Sequence, residues 1–265
     1  MNIDLSGKTA IVTGSTKGIG FATALGLARA GARSVVTGRD KGRVEEAAGR
    51  ITAQVPGAEV IGVAADLSTV EGARALADQV PATDILINNL GIFQPMPFLD
   101  IDDDEWRRYF DVNVLSGIRL SRFYLPGMID NGWGRVVFVS SESALQIPPE
   151  MVHYGTTKTA QLAVARGMAE LCAGTGVTVN SVLPGPTKSE GVTDFVAELS
   201  GDDTGKSPEE LVDEFVREHR PTSLLRRAST TEEIANMIVY LSSAQSSATT
   251  GACLSVDGGT RRSVV

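Results

Sequence analysis

Short apolar runs alternate with longer amphipathic stretches along almost the whole of this 265-residue chain. Few folds accommodate that rhythm. Runs at 10–12, 34–37, 60–64, 85–88, 135–140, 177–182 and 252–256 read as strands, and several are continuously apolar, as strands buried on both faces are. Between them, 19–30, 40–54, 70–79, 103–130, 152–172 and 231–242 carry helical patterns. Thr230-Thr231-Glu232-Glu233 supplies a helix start with acids in the first turn. Strand-helix alternation implies right-handed parallel crossovers. The expectation is an α/β fold, one doubly wound domain over 1–265, with a parallel sheet of about seven strands and helices on both faces.

Residues 186–221 break the rhythm. They hold no clear strand, a polar centre at 200–208, and a second helix start at Ser207-Pro208-Glu209-Glu210. Ligands bind beyond the carboxyl ends of strands in open sheets, so an insertion there is expected to act as a lid.

Composition narrows the function. A net charge of −8 argues against non-specific nucleic-acid binding. The two cysteines, Cys172 and Cys253, and the two histidines, His153 and His219, form no metal-ligand pattern, so no metal site is expected. No secretory leader is expected, because the chain begins short and polar and enters its first strand by Thr9. No apolar run is long enough for a bilayer span. A soluble cytoplasmic protein is the reading.

The first strand runs into Thr13-Gly14-Ser15-Thr16-Lys17-Gly18-Ile19-Gly20, which opens a helix. Glycines at 14, 18 and 20 let the backbone turn tightly and approach a pyrophosphate, and the helix start offers unpaired N–H groups. The spacing differs from the plain G-x-G-x-x-G fingerprint. The second strand then ends Val35-Val36-Thr37-Gly38-Arg39. An acid at that tip would hold a ribose 2′-hydroxyl, whereas an Arg suits a 2′-phosphate. With Lys17 nearby, this favours NADP(H) over NAD(H).

Tyr154 and Lys158 lie one helical turn apart and share a face. A free phenol has a pKa of about 10, and an adjacent ammonium favours the phenolate. The pair is expected to work as an acid/base nearer pH 7. Alone it is a weak signal, since Tyr-x-x-x-Lys arises by chance in many helices.

Taken together and in order, these motifs resemble the short-chain dehydrogenases/reductases over nearly the whole chain. Thr13 to Gly20 resembles that family's cofactor loop. Ala65-Asp66-Leu67 resembles its adenine-contacting strand end. Asn88-Asn89-Leu90-Gly91 is similar to its Asn-Asn-Ala-Gly, with Leu90 in place of alanine. Asn113, Ser141, Tyr154 and Lys158 match its catalytic residues. Ser141 is chosen over Ser140 and Ser143 because the family's serine usually lies thirteen residues before the tyrosine. Pro184-Gly185 with Thr187 matches its nicotinamide-side turn.

The resemblance implies a Rossmann-type fold and a cofactor held by Gly14, Ser15, Thr16, Lys17, Gly18, Ile19, Gly20, Arg39, Asp66, Leu67, Asn89, Gly91, Tyr154, Lys158, Pro184, Gly185 and Thr187. It implies hydride transfer between NADP(H) and a carbonyl or secondary alcohol. In reduction, Tyr154 donates a proton to the carbonyl oxygen and Ser141 hydrogen-bonds it. Lys158 lowers the tyrosine pKa and holds the nicotinamide ribose, and Asn113 fixes a water leading to solvent. A homotetramer built through 103–130, 152–172 and the last strand is also implied. His153 is expected to be a bystander and Glu142 a solvated loop residue.

A 3-oxoacyl-carrier-protein reductase is the natural alternative, but an acidic carrier calls for cations at the site mouth. The helix ends Ile129-Asp130-Asn131-Gly132 and Leu171-Cys172-Ala173-Gly174-Thr175 have none. The insert is acid-rich, with Glu190, Asp194, Glu198, Asp202, Asp203, Glu209, Glu210, Asp213 and Glu214. A small neutral or apolar ketone is therefore the expected substrate. A non-catalytic NADP(H)-sensing protein is the other alternative, and the intact Ser, Tyr and Lys argue against it.

Overall fold

The computed structural model of the protein describes residues 2–193, 196 and 206–263. Seven strands form one sheet, each paired parallel to its neighbour. These are β1 (Thr9–Val12), β2 (Arg33–Gly38), β3 (Val60–Ala64), β4 (Ile85–Asn88), β5 (Gly134–Val139), β6 (Val177–Pro184) and, after a short pair described below, β9 (Cys253–Val256). Their order is β3-β2-β1-β4-β5-β6-β9. Ala10 stands beside Ser34 on one side and Ile85 on the other. The chain thus winds outward in both directions from β1 and β4, and a crevice opens where the two directions part.

Alternate strand residues feed two cores. Val12, Val36, Ile87, Val139 and Val182 pack with Leu27 of α1 (Gly18–Arg29) and with Ile234 and Ile238 of a late helix, Thr231–Leu241. Ile11, Val35, Leu86, Val136 and Phe138 pack on the other face. There they meet Leu76 of α3 (Val70–Gln79), Leu120 and Tyr124 of α5 (Ser116–Asp130), and Ala165 of α6 (Val152–Leu171). Each fully buried Leu, Ile or Phe contributes about 1.5–3 kcal/mol, so both faces are covered at a gain. The helix α2 (Lys41–Gln54) starts on the Asp40 side chain, which accepts from Arg43 N.

Two sequence expectations need correction. The stretch 103–130 is not one regular helix. Asp103–Phe110 (α4) and α5 are joined by a π-helical turn, Asp111–Leu115. Hydrophobic periodicity cannot register one wide turn inside a helix. Residues 186–221, read as strandless, hold a two-residue strand β7 (Thr187–Lys188), which pairs with β8 (Ser229–Thr230). Two residues are too short to show alternation.

The helix start at Ser207 is present as a full capping box leading α7 (Pro208–His219). Thr230 and Glu233 make another at the head of α8, the helix Thr231–Leu241. Most of the polar centre at 200–208, and the acids Asp194, Glu198, Asp202 and Asp203, lie outside the described residues. Among the described residues, no helix is long and apolar enough to cross a membrane.

The crevice depends on close backbone approach at Gly20. A Cβ there would lie 2.4 Å from Gly14 O and 2.6 Å from Asn89 Nδ2. Gly20→Ala is expected to destabilise the fold by about 1–3 kcal/mol, as overpacking does. Gly127→Ala, where a Cβ meets nothing within 4 Å, is the comparison, and thermal unfolding of the two variants checks the difference.

Candidate active site

The crevice is built from strand ends. Just past β1, Thr13 Oγ1 donates to Ile87 O (3.2 Å) and accepts from Asn89 N and Leu90 N (both 2.8 Å). Asn89 Nδ2 answers by donating to Thr13 O (2.8 Å) and Gly14 O (3.1 Å). The tips of β1 and β4 therefore hold each other. Gly14 and Gly18 take left-handed backbone, φ +61° and +59°, which L side chains resist. Ser15 is buried and spends its hydroxyl on the frame, donating to Val12 O (2.7 Å) and accepting from Thr37 N (2.9 Å). At the start of α1, Gly18 N donates to Glu190 Oε2 at 2.9 Å, so this N–H already serves an oxyanion.

Two cavities flank the glycine loop. One, of about 270 Å³, is lined by Gly14, Thr16, Lys17, Arg39, Leu67 and Leu90, among others. It also has Arg43, which sequence reasoning missed. The signal was its place four residues after Arg39 in the first turn of a helix. Asp66 does not line this cavity. Its carboxylate instead accepts from Ser68 N (3.1 Å) and Ser68 Oγ (2.6 Å), closing its own turn.

The other cavity, of about 280 Å³, brings together Lys17, Gly18, Ile19, Gly20, Asn89, Gly91, Ser141, Tyr154, Lys158, Pro184, Gly185 and Thr187. These expected residues come from the ends of four strands and the starts of two helices, whereas Asn113, Ser15 and Asp66 line neither cavity. Ser140 N still donates to Val182 O (2.8 Å) beyond β5, and its hydroxyl donates to Lys158 O (2.9 Å). Ser140, Ser141 and Ser143 all line the cavity, but the Ser140 hydroxyl is spent on that carbonyl, whereas Ser141 Oγ accepts from Ser143 N (3.1 Å) and shares a hydrogen bond with the Tyr154 phenol. Phe93 meets the Tyr154 ring edge-on at 6.2 Å. His153 is fully buried against Tyr109, ring centroids 4.0 Å apart, and is absent from the cavity lining.

Behind the tyrosine, Lys158 is 4% exposed. Its Nζ donates to Val139 O (2.9 Å) and Gln161 Oε1 (3.4 Å), and lies 5.6 Å from the Tyr154 ring centroid. The Asn113 side chain is fully used. Its Oδ1 accepts from Ile92 N (2.8 Å), and its Nδ2 donates to Ile92 O (3.1 Å) and Thr157 Oγ1 (3.0 Å). Asn113 lies in the π-helical turn, and its backbone carbonyl accepts from Gln161 Nε2. Gln161, 1% exposed, therefore bridges Lys158 to that carbonyl. Sequence reasoning passed over Gln161 because a glutamine one turn beyond a lysine is ordinary.

The electrostatics differ from expectation. Burial pushes the Tyr154 phenol up to about 12, against a hydrogen bond with Ser141 that pulls it down. Burial also pulls the Lys158 ammonium down to about 7. The lysine was expected to lower the tyrosine, but it does not enter the causes of the tyrosine's shift. Desolvation disfavours both charged forms together.

Glu142 is also not the solvated residue expected. It is 3% exposed and lines the Tyr154 cavity, and its Oε1 accepts from Arg220 Nε at 2.8 Å. A charged residue directly after a serine gives no sign in sequence that an arginine 78 residues later will reach it.

A family model described as short chain dehydrogenase matches residues 8–199. An uncharacterised oxidoreductase of Bacillus subtilis, YvaG, is 47% identical over 264 residues, covering all of both chains. The 3-oxoacyl-[acyl-carrier-protein] reductase FabG of Aquifex aeolicus is 32% identical, covering 98% of this chain and 99% of that one. The L-sorbose reductase of Gluconobacter frateurii, solved with NADPH and L-sorbose, is 31% identical with a TM-score of 0.93 over the full length of both. The chain belongs to the short-chain dehydrogenase/reductase family, oxidoreductases that act between an alcohol and a carbonyl.

Proposed function

We propose that the protein is an NADP(H)-dependent reductase of small uncharged ketones or aldehydes, reversible toward secondary alcohols. The observation that carries this reading is the single cavity on which the glycine loop, Ser141, Tyr154 and Lys158 all open. The loop fits a dinucleotide. Gly14 and Gly18 are left-handed, Gly20 excludes any side chain, and Gly18 N is an anion donor aimed at Glu190. A bound pyrophosphate would claim that N–H, so Glu190 would have to yield. Lys17, Arg39 and Arg43 surround the neighbouring cavity, and three cations suit a 2′-phosphate. The sorbose reductase solved with NADPH supports the same cofactor.

The nicotinamide, when bound, supplies or accepts the hydride. The rest is done by side chains. In reduction, Tyr154 is protonated throughout the neutral range, with its pKa near 12, and it gives its proton to the carbonyl oxygen. The Ser141 hydroxyl holds the same oxygen as charge develops on it. Lys158 sits behind the tyrosine, and Gln161 presents it with an acceptor. In oxidation these roles reverse.

The carrier-protein alternative has a relative of equal identity in FabG. The helix ends 129–132 and 171–175, expected beside the cleft, lead instead into the starts of β5 and β6, at the opposite edge of the sheet from the cavity, so their lack of cations carries no weight. The small substrate is favoured by Glu142 and Glu190 on the cavity wall and by the acids of the insert. Residues 186–221 act as the lid in this reading, and the described part of that segment touches the site through Glu190 and Arg220. The family resemblance also carries a homotetramer and a cytoplasmic location. Phe123 on α5 and Leu171 at the end of α6, 50% and 68% exposed, offer apolar surface for partner copies.

Three outcomes test the reading. Tyr154→Phe is expected to lower kcat by about 10²–10⁴-fold while leaving the Kd for NADPH, read by fluorescence titration, nearly unchanged. Turnover close to normal would remove the tyrosine from the chemistry. Arg39→Ala is expected to weaken NADPH by about 10–100-fold, the effect of one charge-assisted contact, and NADH little. An equal loss for both would undo the cofactor assignment.

Gln161→Leu removes an acceptor from the Lys158 ammonium, so the lysine should lose its proton more easily. Lys158 acts charged and titrates near 7. The alkaline limb of kcat/KM for NADPH should therefore move to lower pH, by about one unit or less. An unmoved limb would release Gln161 from any part in setting the lysine.

A further inference from the structure

We infer that the Glu190 carboxylate is a built-in competitor for the dinucleotide, which fills the pyrophosphate seat of the ligand-free protein and so sets how tightly the cofactor binds. This rests on the reductase reading and names a regulation of that site.

The seat is the start of α1. Gly18 is the first residue of that helix, so its N–H has no partner inside the helix. It donates instead to Glu190 Oε2 at 2.9 Å, across 172 positions of sequence. The approach is close. A Cβ on Gly18 would lie 3.4 Å from Ser189 Cβ and 3.8 Å from the same Glu190 oxygen. Gly18, Ser189 and Glu190 all line the cavity that holds Tyr154, and Glu190 is exposed. Its own bond therefore places this carboxylate on the glycine loop, where a ligand arriving from solvent would meet it.

A carboxylate and a phosphate compete for such a place. Helix starts receive oxyanions through unpaired N–H groups and the positive end of the dipole. In sheets of this kind the pyrophosphate sits at the first helix start. One N–H does not serve two acceptors at full strength, and two anions at that range repel. The partner chosen by Glu190 points the same way. Lys17 stands next to Gly18 on the same wall, yet among the described residues Glu190 forms no ion pair with it or with another cation. The backbone N–H holds the carboxylate.

The segment is held where it can do this. Thr187 and Lys188 pair with β8, Lys188 Nζ donates to Asp213 Oδ2 (2.8 Å), and Val192 N and Thr193 N donate to Ser189 O (3.0 and 2.8 Å). With the backbone braced on both sides of Glu190, a rotation of its side chain is the smallest change that frees Gly18 N.

The consequence is an affinity lower than the loop alone would give. When a site is competent in only a fraction of molecules, the apparent Kd rises by the inverse of that fraction. One exposed, charge-assisted hydrogen bond corresponds to about three- to tenfold. The effect falls on the pyrophosphate, which NADPH and NADH share. It lies apart from the cavity lined by Arg39 and Arg43, so it gives no preference between the two cofactors.

The test is calorimetric titration of the intact protein with NADPH, NADH and adenosine 2′-monophosphate, which has no pyrophosphate. Glu190→Gln is expected to tighten NADPH and NADH alike, by about three- to tenfold, and to leave adenosine 2′-monophosphate within about twofold. Glu190→Asp keeps the charge, withdraws the oxygen by one methylene, and should also tighten both dinucleotides. Where the glutamine variant fails to fold, as shown by thermal unfolding, the aspartate variant carries the test.

A Kd for NADPH unchanged or weakened in Glu190→Gln overturns the inference and leaves the reductase reading standing. Equal tightening of all three ligands does the same, because it marks the general field of a lost charge. So does a tightened glutamine variant beside an aspartate variant that matches the wild type. Absence of NADPH binding from the wild type and both variants overturns the reductase reading and this inference with it.

Discussion

Two parallel strands that part company must be held at their tips, and here Thr13 and Asn89 do that for β1 and β4. Each side chain satisfies backbone groups that would otherwise face an open crevice without a ladder partner. Everything on the functional face is referenced to this clasp. The glycine loop leaves from one side of it, with Gly20 packed under Asn89. Gly91 leaves from the other, and a Cβ there would come within 3.3 Å of Lys158 Nζ and 3.5 Å of Asn113 Oδ1. The phosphate end and the proton-handling end are thus fixed against each other by one set of short, neutral hydrogen bonds. Such bonds are insensitive to salt and pH, which suits a frame better than ion pairs would.

Electrostatics inside that frame is governed by the loss of water more than by the pairing of charges. The phenol is driven up and the ammonium down, so burial keeps the tyrosine neutral and brings the lysine's charge within reach of neutral pH. A proton donor is well served by this. A tyrosine that stays protonated can give its proton only where charge builds on an acceptor, and the desolvated cavity makes that acceptor's charge hard to satisfy in any other way. The lysine is then a group whose charge is adjustable, held by Val139 O and by the Gln161 amide. The π-helical turn contributes by presenting the Asn113 carbonyl to that amide. A regular helix would retain this carbonyl in its own ladder.

How much of this was legible in sequence varied with the range of the interaction. The seven strands were readable because a strand buried on both faces must be apolar throughout, and their ends were misplaced by only a residue or two. The glycine loop was readable because left-handed backbone restricts the residue type at Gly14 and Gly18. Tyr154 and Lys158 were readable as a pair because they share one helix. The direction of their shifts was not, because it depends on how much water the folded chain removes. Gln161, Arg43 and the Glu142–Arg220 pair were missed for related reasons. Each becomes functional only through a neighbour that its own sequence surroundings do not reveal, and for Glu142 that neighbour is 78 positions away.

The insert is therefore better understood through its contacts than through its polarity. Glu190 reaches the glycine loop and Arg220 reaches the residue beside Ser141, so one segment touches both ends of the cavity. It is not merely draped over them. Val196, Leu211, Val212 and Val216 form an apolar cluster with Ala228, and Lys188 pairs with Asp213 at 2.8 Å while Asp213 also accepts from Ala228 N. Those contacts make the described parts of the segment a braced unit.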